Sequence, residues 1–427
     1  MLKKLFGGLT TPRIQYIPLE GRLPEPINIP LPPQVTLILD GAADGKNAIL
    51  PKIGDAVKTG QKLTLVAGGD AYAISPATGT ISGVAPFRGE AGQVGTAITI
   101  NTSKAEDPDD QFAAAAQEPT LDSAAGFLAG VPGCPPLKLF GDPDKPIHTI
   151  VINGADRDLL VATHQCVVQS RIDAIAHGIA VLKKITGIEA VIMVVPVNIM
   201  GGYGSIGAEV KFIAPTYPSA LPHMILKDVL GKVIPAGKAA EDLGVAMINA
   251  EAVASIGRAY ETGKIPFQKL LTVIKKDGGK VLVSARIGTP IKEIVKTVGE
   301  TVNEMDRVIL GGPMMGVSIF TLDTPVRPDT DALMIQDKAG IPFVSDYPCI
   351  NCGECIRICP ARIPVNMLVR FLEAGQYQEA ADLYDLYSCF ECGLCSYVCV
   401  SRMPIFQYIR LAKFELGRIE TAEVTNV

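Results

Sequence analysis

The sequence predicts a multidomain α/β protein that ends in a mainly helical unit built around two cysteine runs. Three observations carry that prediction. At 427 residues the chain exceeds what one hydrophobic core supports. Strand-like and helix-like patterns alternate through its middle. Of its ten cysteines, all but Cys134 and Cys166 fall between positions 349 and 399.

Residues 1–30 are rich in proline and lack helical periodicity, so they read as an extended N-terminal arm. Residues 31–102 read as short strands, with turn signals at Gly54-Asp55 and Gly60-Gln61 between β-branched runs. This stretch resembles the barrel-sandwich fold of biotinyl and lipoyl carriers. Such carriers present a modified lysine at a hairpin tip; residues 67–72 contain none, which favours a scaffold role. Residues 103–120 are polar and alanine-rich, without a buried face, and read as a linker.

The rhythm then changes. Residues 149–153 and 191–195 are apolar runs of strand length, 209–213 suggests a third strand, and 170–186 places apolar residues at 172, 175, 179 and 182. Residues 121–240 are therefore expected to form an open α/β domain. In 241–332, two strands (270–274 and 281–286) flank the turn Asp277-Gly278-Gly279, followed by a helix over 290–304 and a strand over 307–310. Residues 333–427 hold the cysteine runs, with short helices expected at 365–374 and 377–386.

Composition narrows the function classes. The formal charge is −5, from 39 basic and 44 acidic residues, with no basic block; tryptophan is absent. These features argue against a nucleic-acid surface. No apolar run reaches the ~18–20 residues that span a bilayer, and the N-terminus does not read as a secretion signal. The expectation is a cytoplasmic protein in a reducing compartment, peripheral to a membrane only through partner subunits.

The cysteine runs carry the most specific chemistry. Cys349, Cys352, Cys355 and Cys359 are spaced C-x2-C-x2-C-x3-C, and Cys389, Cys392, Cys395 and Cys399 repeat that spacing. The pattern wraps cubane iron–sulfur clusters, and in two-cluster proteins the fourth cysteine of each run ligates the other cluster. The expected sets are Cys349, Cys352, Cys355 and Cys399 on one [4Fe–4S] cluster, and Cys389, Cys392, Cys395 and Cys359 on the second. Disulfides fit poorly, because neighbours on a tight loop bridge badly. Zinc sites usually use two C-x2-C pairs instead. Pro360 follows Cys359 while Val400 follows Cys399, so the two clusters are expected to have unequal surroundings and unequal potentials.

In that order, these units resemble the C subunit of the Rnf electron transport complex. The marks of the resemblance are the paired cysteine runs, Gly311-Gly312-Pro313-Met314-Met315-Gly316, Arg286-Ile287-Gly288-Thr289-Pro290, and Asn249 leading into a helix through Tyr260. The resemblance implies a Rossmann-like α/β domain for flavin and NADH, a β-grasp domain of the soluble-ligand-binding (SLBB) type over 241–332, and a helical two-cluster ferredoxin-type domain. It further implies an electron-transfer subunit of a membrane-associated oxidoreductase complex, whose partners are other subunits and a ferredoxin or flavoprotein.

The flavin and nucleotide motifs depart from the family pattern. A glycine-dense loop is replaced by Ala129-Gly130-Val131-Pro132-Gly133-Cys134-Pro135-Pro136, where three prolines lack N–H donors. The family's N-G-A-E-C-E-P-Y becomes Asn153-Gly154-Ala155-Asp156-Arg157-Asp158, and its Y-P-x-G-x-E becomes Tyr217-Pro218-Ser219-Ala220-Leu221-Pro222. Asn153, Asp156 and Asp158 are the candidate flavin or nucleotide residues, FMN being the further candidate cofactor against which these changes count. Alternative readings are an FMN-dependent NADH dehydrogenase subunit, or a thiol-linked carrier to a reductase, similar to the family's offshoot associated with proline reductase. For the latter, Cys134 is the candidate redox thiol. Cys166 follows His164-Gln165, a neighbour that could lower its pKa, and the two thiols could form a redox dithiol. Residues 201–207 suggest a phosphate-cradling loop but read better as a flexible one, and Met314 and Met315 are expected to pack against the cluster domain.

Overall fold

The computed structural model describes residues 14–16, 24–40, 52–65, 71–89, 94–199, 204–345 and 347–425. The fold is mixed α/β and multidomain, with four sheets among the described residues. Residues 67–70 of the expected hairpin tip and 201–203 of the glycine loop lie outside them.

In the N-terminal unit, Gln34–Asp40, Val94–Thr102, Gly79–Arg88 and Ala56–Val57 form an antiparallel sheet, beside a hairpin of Lys62–Thr64 and Tyr72–Ile74. Alternate residues Val35, Leu37 and Leu39 point into one core with Ile81, Ile98 and Ile100, the period of two that the strand pleat imposes. The segment expected to be a linker without a buried face differs from that expectation. Helix Gln111–Ala115 buries Phe112, whose ring lies 5.8 Å from that of Phe127 and 5.6 Å from that of Tyr260. A single aromatic among alanines has no periodicity to betray it.

The second unit is a parallel sheet in the order Glu209–Ile213, Val191–Pro196, Thr149–Asn153, Val245–Asn249. The boundary expected at 240/241 is therefore displaced: Val245–Asn249 and helix Ala250–Thr262 belong to this sheet and its helical layer. Asn249 caps that helix by accepting from the Ala252 N–H. The helix crosses Ile172–Thr186 at very short range, where a Cβ on Gly178 would overlap the Val253 carbonyl and one on Gly257 the Ala174 carbonyl. A strand followed by a helix reads alike in either neighbouring unit; only this crossing assigns it.

The third sheet has six strands, in the order Ile27–Asn28, Lys280–Arg286, Gln268–Ile274, Ala332–Gln336, Arg307–Leu310, Val317–Ile319. Both ends of the expected 241–332 unit shift as a result. Its central position takes a strand that runs to Gln336, and its edge recruits Ile27–Asn28 from the N-terminal arm in parallel pairing. The helix expected over 290–304 is shorter, Ile291–Thr297, and Gly299 follows it at φ 73°.

The C-terminal unit is helical: Glu354–Ile358, Val365–Glu373, Tyr377–Leu383, Leu394–Tyr397 and the long Ile405–Thr425. The two helices expected between the cysteine runs are present, each ending a residue or more early. Among the described residues no helix is long and apolar enough to cross a membrane.

Candidate functional site

The two cysteine runs fold as copies of one another. Asn351 and Glu391, Gly353 and Gly393, and Arg362 and Arg402 all adopt positive φ at matching places. In each run the glycine sits just before a short helix that carries the third cysteine, Glu354–Ile358 or Leu394–Tyr397. A left-handed turn at that point curls the chain so that three sulfurs face inward.

The fourth cysteines cross over. Cys399 lines one cavity with Cys349, Cys352 and Cys355. Burial pushes the Cys355 thiol up to about 11, helped by the charges of Cys349, Cys352 and Cys399. In the other group, burial pushes Cys392 up to about 12, and Cys389 and Cys359 add to it. Cys395 is raised well above the ordinary thiol range by burial and by Cys389, Cys392 and Cys359. Each group thus gathers mutually repelling sulfurs that need a positive metal core to exist together as thiolates.

No group of three or more His, Cys, Asp or Glu side chains among the described residues is disposed to hold a single metal ion. A tetrahedral zinc with ~2.3 Å bonds would draw its sulfurs to about 3.7 Å from one another. A cubane places one thiolate on each iron and holds them farther apart. Four thiols around one cavity are a donor set that fits a cubane cluster.

The two groups differ in surroundings. Cys352 is exposed, Cys349 and Cys399 are half-buried, and Cys355 is buried. In the second group Cys392 and Cys395 are buried and Cys389 and Cys359 half-buried; Cys392 shares a core with Val151, Val194 and Ile225 of the parallel-sheet unit. Tyr217 donates its hydroxyl to the Cys392 carbonyl at 2.5 Å, and Lys413 donates to the Cys389 carbonyl at 2.5 Å. Met314 and Met315 pack against the same core, as expected.

Asn153 ends strand Thr149–Asn153, and Asp156 and Asp158 follow it; all three are buried. Asn153 accepts from the Ala155 N–H and donates to the Ala220 carbonyl. Asp156 accepts the His164 and Gln165 N–H groups at the start of helix Thr163–Ser170. Asp158 accepts from Leu159, Met314 and Met315, fastening the glycine-bearing turn of residues 311–316. Burial raises both carboxyls, against the lowering effect of these N–H groups. The proline-bearing loop packs on helix Ala250–Thr262: Asn249 donates to the Gly133 carbonyl, and Ser255 to the Pro132 carbonyl. All three motif positions therefore meet at the carboxyl end of the sheet, but their polar atoms serve the chain itself. These residues do not fit a flavin as they stand.

Cys134 is exposed, at φ 49°, whereas Cys166 is buried in the core of the sheet unit, and no disulfide joins them. The expected effect of His164 on Cys166 is corrected: burial raises that thiol, and His164 turns its Nε2 toward Asp331 at 3.1 Å.

Sequence reasoning missed the charges around Asp331. Lys269, fully buried, contacts Glu251 and lies 3.0 Å from Asp331 Oδ1. Burial opposes charge on Lys269 and His164, yet their carboxylate partners outweigh it and raise both. Lys269 and His164 in turn hold Asp331 far below the ordinary range despite its burial. A lysine alternating with apolar strand residues looks like a solvated position in sequence; no signal marked it as buried.

Residues 129–258 match the Nuo51 FMN-binding domain family, and residues 348–403 match the 4Fe-4S dicluster domain family. Along most of its length the chain is similar to the C subunit of the ion-translocating oxidoreductase complex of Pseudomonas aeruginosa. The two are 30% identical over 389 residues, covering 86% of this chain and 50% of that protein. The chain is thus similar to the C subunits of Rnf complexes. Two further such subunits are similar. The C subunit of the proton-translocating ferredoxin:NAD(+) oxidoreductase complex of Clostridium ljungdahlii is 31% identical over 291 residues, covering 65% of this chain and 63% of that one. The Na(+)-translocating counterpart of Acetobacterium woodii is 27% identical over 270 residues, covering 61% of each. The chain spans about half the length of the first of these Rnf proteins.

Proposed function

We propose that this chain relays single electrons through two [4Fe–4S] clusters within an Rnf-like multi-subunit oxidoreductase. Cys349, Cys352, Cys355 and Cys399 hold the first cluster, and Cys389, Cys392, Cys395 and Cys359 the second. The observation that carries the reading is the crossing of the fourth cysteines, since a simple structural role gives no reason for Cys399 to share a cavity with the first run. Bound clusters supply reversible one-electron redox chemistry. The chain's residues supply thiolates, burial and N–H groups, and Tyr217 and Lys413 hold the backbone of the second run.

The unequal burial gives the relay two ends. The second cysteine group abuts the parallel-sheet unit, and the first lies nearer the surface, where another subunit, a ferredoxin or a flavoprotein would exchange electrons with it. Attachment to a membrane comes through partner subunits. The sheets over residues 34–102 support a barrel-sandwich, and the sheet around Gln268–Ile274 supports an SLBB-type β-grasp unit. A redox titration followed by electron paramagnetic resonance, together with an iron and sulfide count, tests the relay. Eight irons and two separate reduction waves are expected; iron for one cluster, or waves that coincide, would overturn it.

A second reading, a flavin-dependent NADH dehydrogenase subunit, is favoured by the match of residues 129–258 to an FMN-binding domain family. The internal use of Asn153, Asp156 and Asp158 counts against it. Stoichiometric flavin released by acid, with NADH bleaching the cluster absorbance, would establish that reading.

A further inference from the structure

A cavity of about 290 Å³ opens where the sheet unit, the six-stranded sheet and the C-terminal helix meet. It lies apart from the cysteines, although Met315 in its wall belongs to the turn packed against Cys392. Three guanidinium groups line it: Arg157 from the loop after the first parallel strand, Arg327 from the six-stranded unit, and Arg410 from helix Ile405–Thr425. Each is held by one carboxylate edge, Arg157 at 3.9 Å from Asp331, Arg327 at 3.4 Å from Asp329, and Arg410 at 3.3 Å from Glu391. A guanidinium has five N–H donors, so one such contact leaves most of them available.

The carboxylates around the cavity are shared. Asp331 is shared among Lys269, His164 and Arg157, and Glu251 is the other carboxylate in that group. Lys269 and Arg157 balance these two carboxylates, and Asp331 favours the protonated form of His164 beside them. Glu391 is shared in the same way between Arg410 and Lys413. Arg327 and Asp329 balance one another. Asp158, the remaining carboxylate, is already engaged by three backbone N–H groups. Three guanidinium groups with donors to spare therefore face a cavity of ligand size that also has apolar walls at Val161, Leu310 and Met315.

We propose that this cavity binds a small organic anion. Its phosphate or carboxylate group lies among Arg157, Arg327 and Arg410, and its apolar body lies against the wall of the 311–316 turn. Planar forked donors suit either head group. The helix beginning at Thr163 plays no part in holding the anion, because Asp156 already takes the His164 and Gln165 N–H groups and Thr272 that of Ala162 before them.

Calorimetric titration of the full, cluster-loaded chain under anaerobic conditions tests this, with phenyl phosphate and benzoate as probes and benzyl alcohol as the uncharged control. Saturable binding of one or both anions is expected, and which one binds separates a phosphate-bearing from a carboxylate-bearing ligand. Arg157→Gln and Arg327→Gln should each weaken it at least tenfold, while Arg418→Gln, a paired arginine near the far end of the same helix, should leave it unchanged. Two outcomes overturn the proposal. One is no saturation by either anion up to about 10 mM, a weak limit on the affinity scale. The other is an affinity unaltered by Arg157→Gln and Arg327→Gln, or lowered equally by Arg418→Gln.

Discussion

Replacing Gly393 by alanine, beside the matching change at Gly353, tests whether the second cysteine run is locked against the rest of the molecule. Both glycines have left-handed backbones, at φ 74° and 76°, which costs a residue with a Cβ about 1–2 kcal/mol. There the equivalence ends. A Cβ on Gly353 would meet only the tip of Arg357, at 3.3 Å, and that flexible side chain can move. A Cβ on Gly393 would overlap the carbonyl oxygen of Met314. That backbone is held because the Met314 and Met315 N–H groups are bound by the buried Asp158. Overpacking of this kind adds about 1–3 kcal/mol. Gly353→Ala should therefore cost about 1–2 kcal/mol and Gly393→Ala about 2–5 kcal/mol, by the same two contributions. The assay is thermal loss of visible cluster absorbance, read beside the unfolding midpoint by circular dichroism. At about 2–4 °C per kcal/mol, Gly393→Ala should melt at least ~2 °C below Gly353→Ala. Equal midpoints, or a lower one for Gly353→Ala, would refute the argument that the 311–316 turn is a rigid seat for the second run.

Three other outcomes follow from the same contacts. Lys269→Met leaves Glu251 and Asp331 buried without their shared cation, and should destabilise the chain by about 3–5 kcal/mol in denaturant titration; a loss below about 1 kcal/mol would mean that the carboxylates relax to water. Because the folded pKa of His164 is raised above its unfolded value near 6.5, its contribution to stability is complete below that pH and declines as pH rises through the folded pKa. Stability should fall on the alkaline side, and His164→Gln should flatten that slope; an unchanged slope rejects the assignment. Finally, Cys399→Ser should disturb the paramagnetic signal of the first cluster and Cys359→Ser that of the second, whereas straight pairing within each run predicts the reverse.

Much of the fold was legible in the chain. The runs 149–153 and 191–195 are strands in the structure, because consecutive β-branched and aliphatic residues bury both faces of a parallel sheet, and 209–213 is a strand at its more exposed edge. Boundaries were less legible. Val245–Asn249 and Ala332–Gln336 pair with strands far away in sequence, and local pattern says nothing about which sheet a strand will join. The candidate site divides in the same way. Spacing alone grouped the cysteines, since C-x2-C-x2-C places sulfurs within a few residues of one another. It also marked Asn153, Asp156 and Asp158, but their partners, Ala220, the helix at Thr163 and the Met314 turn, are set by tertiary contact.

By itself, then, the sequence determined the cluster chemistry and the local elements, because both depend on residues near one another along the chain. Tertiary structure decided which sulfurs meet, which cysteine group lies near the surface, and how Asp331 gathers Lys269, His164 and Arg157. Those are facts of burial and long-range approach. The same lysine or arginine is a solvated surface charge on one packing of the chain and a buried counter-ion or cavity wall on another, and its neighbours in sequence do not record which.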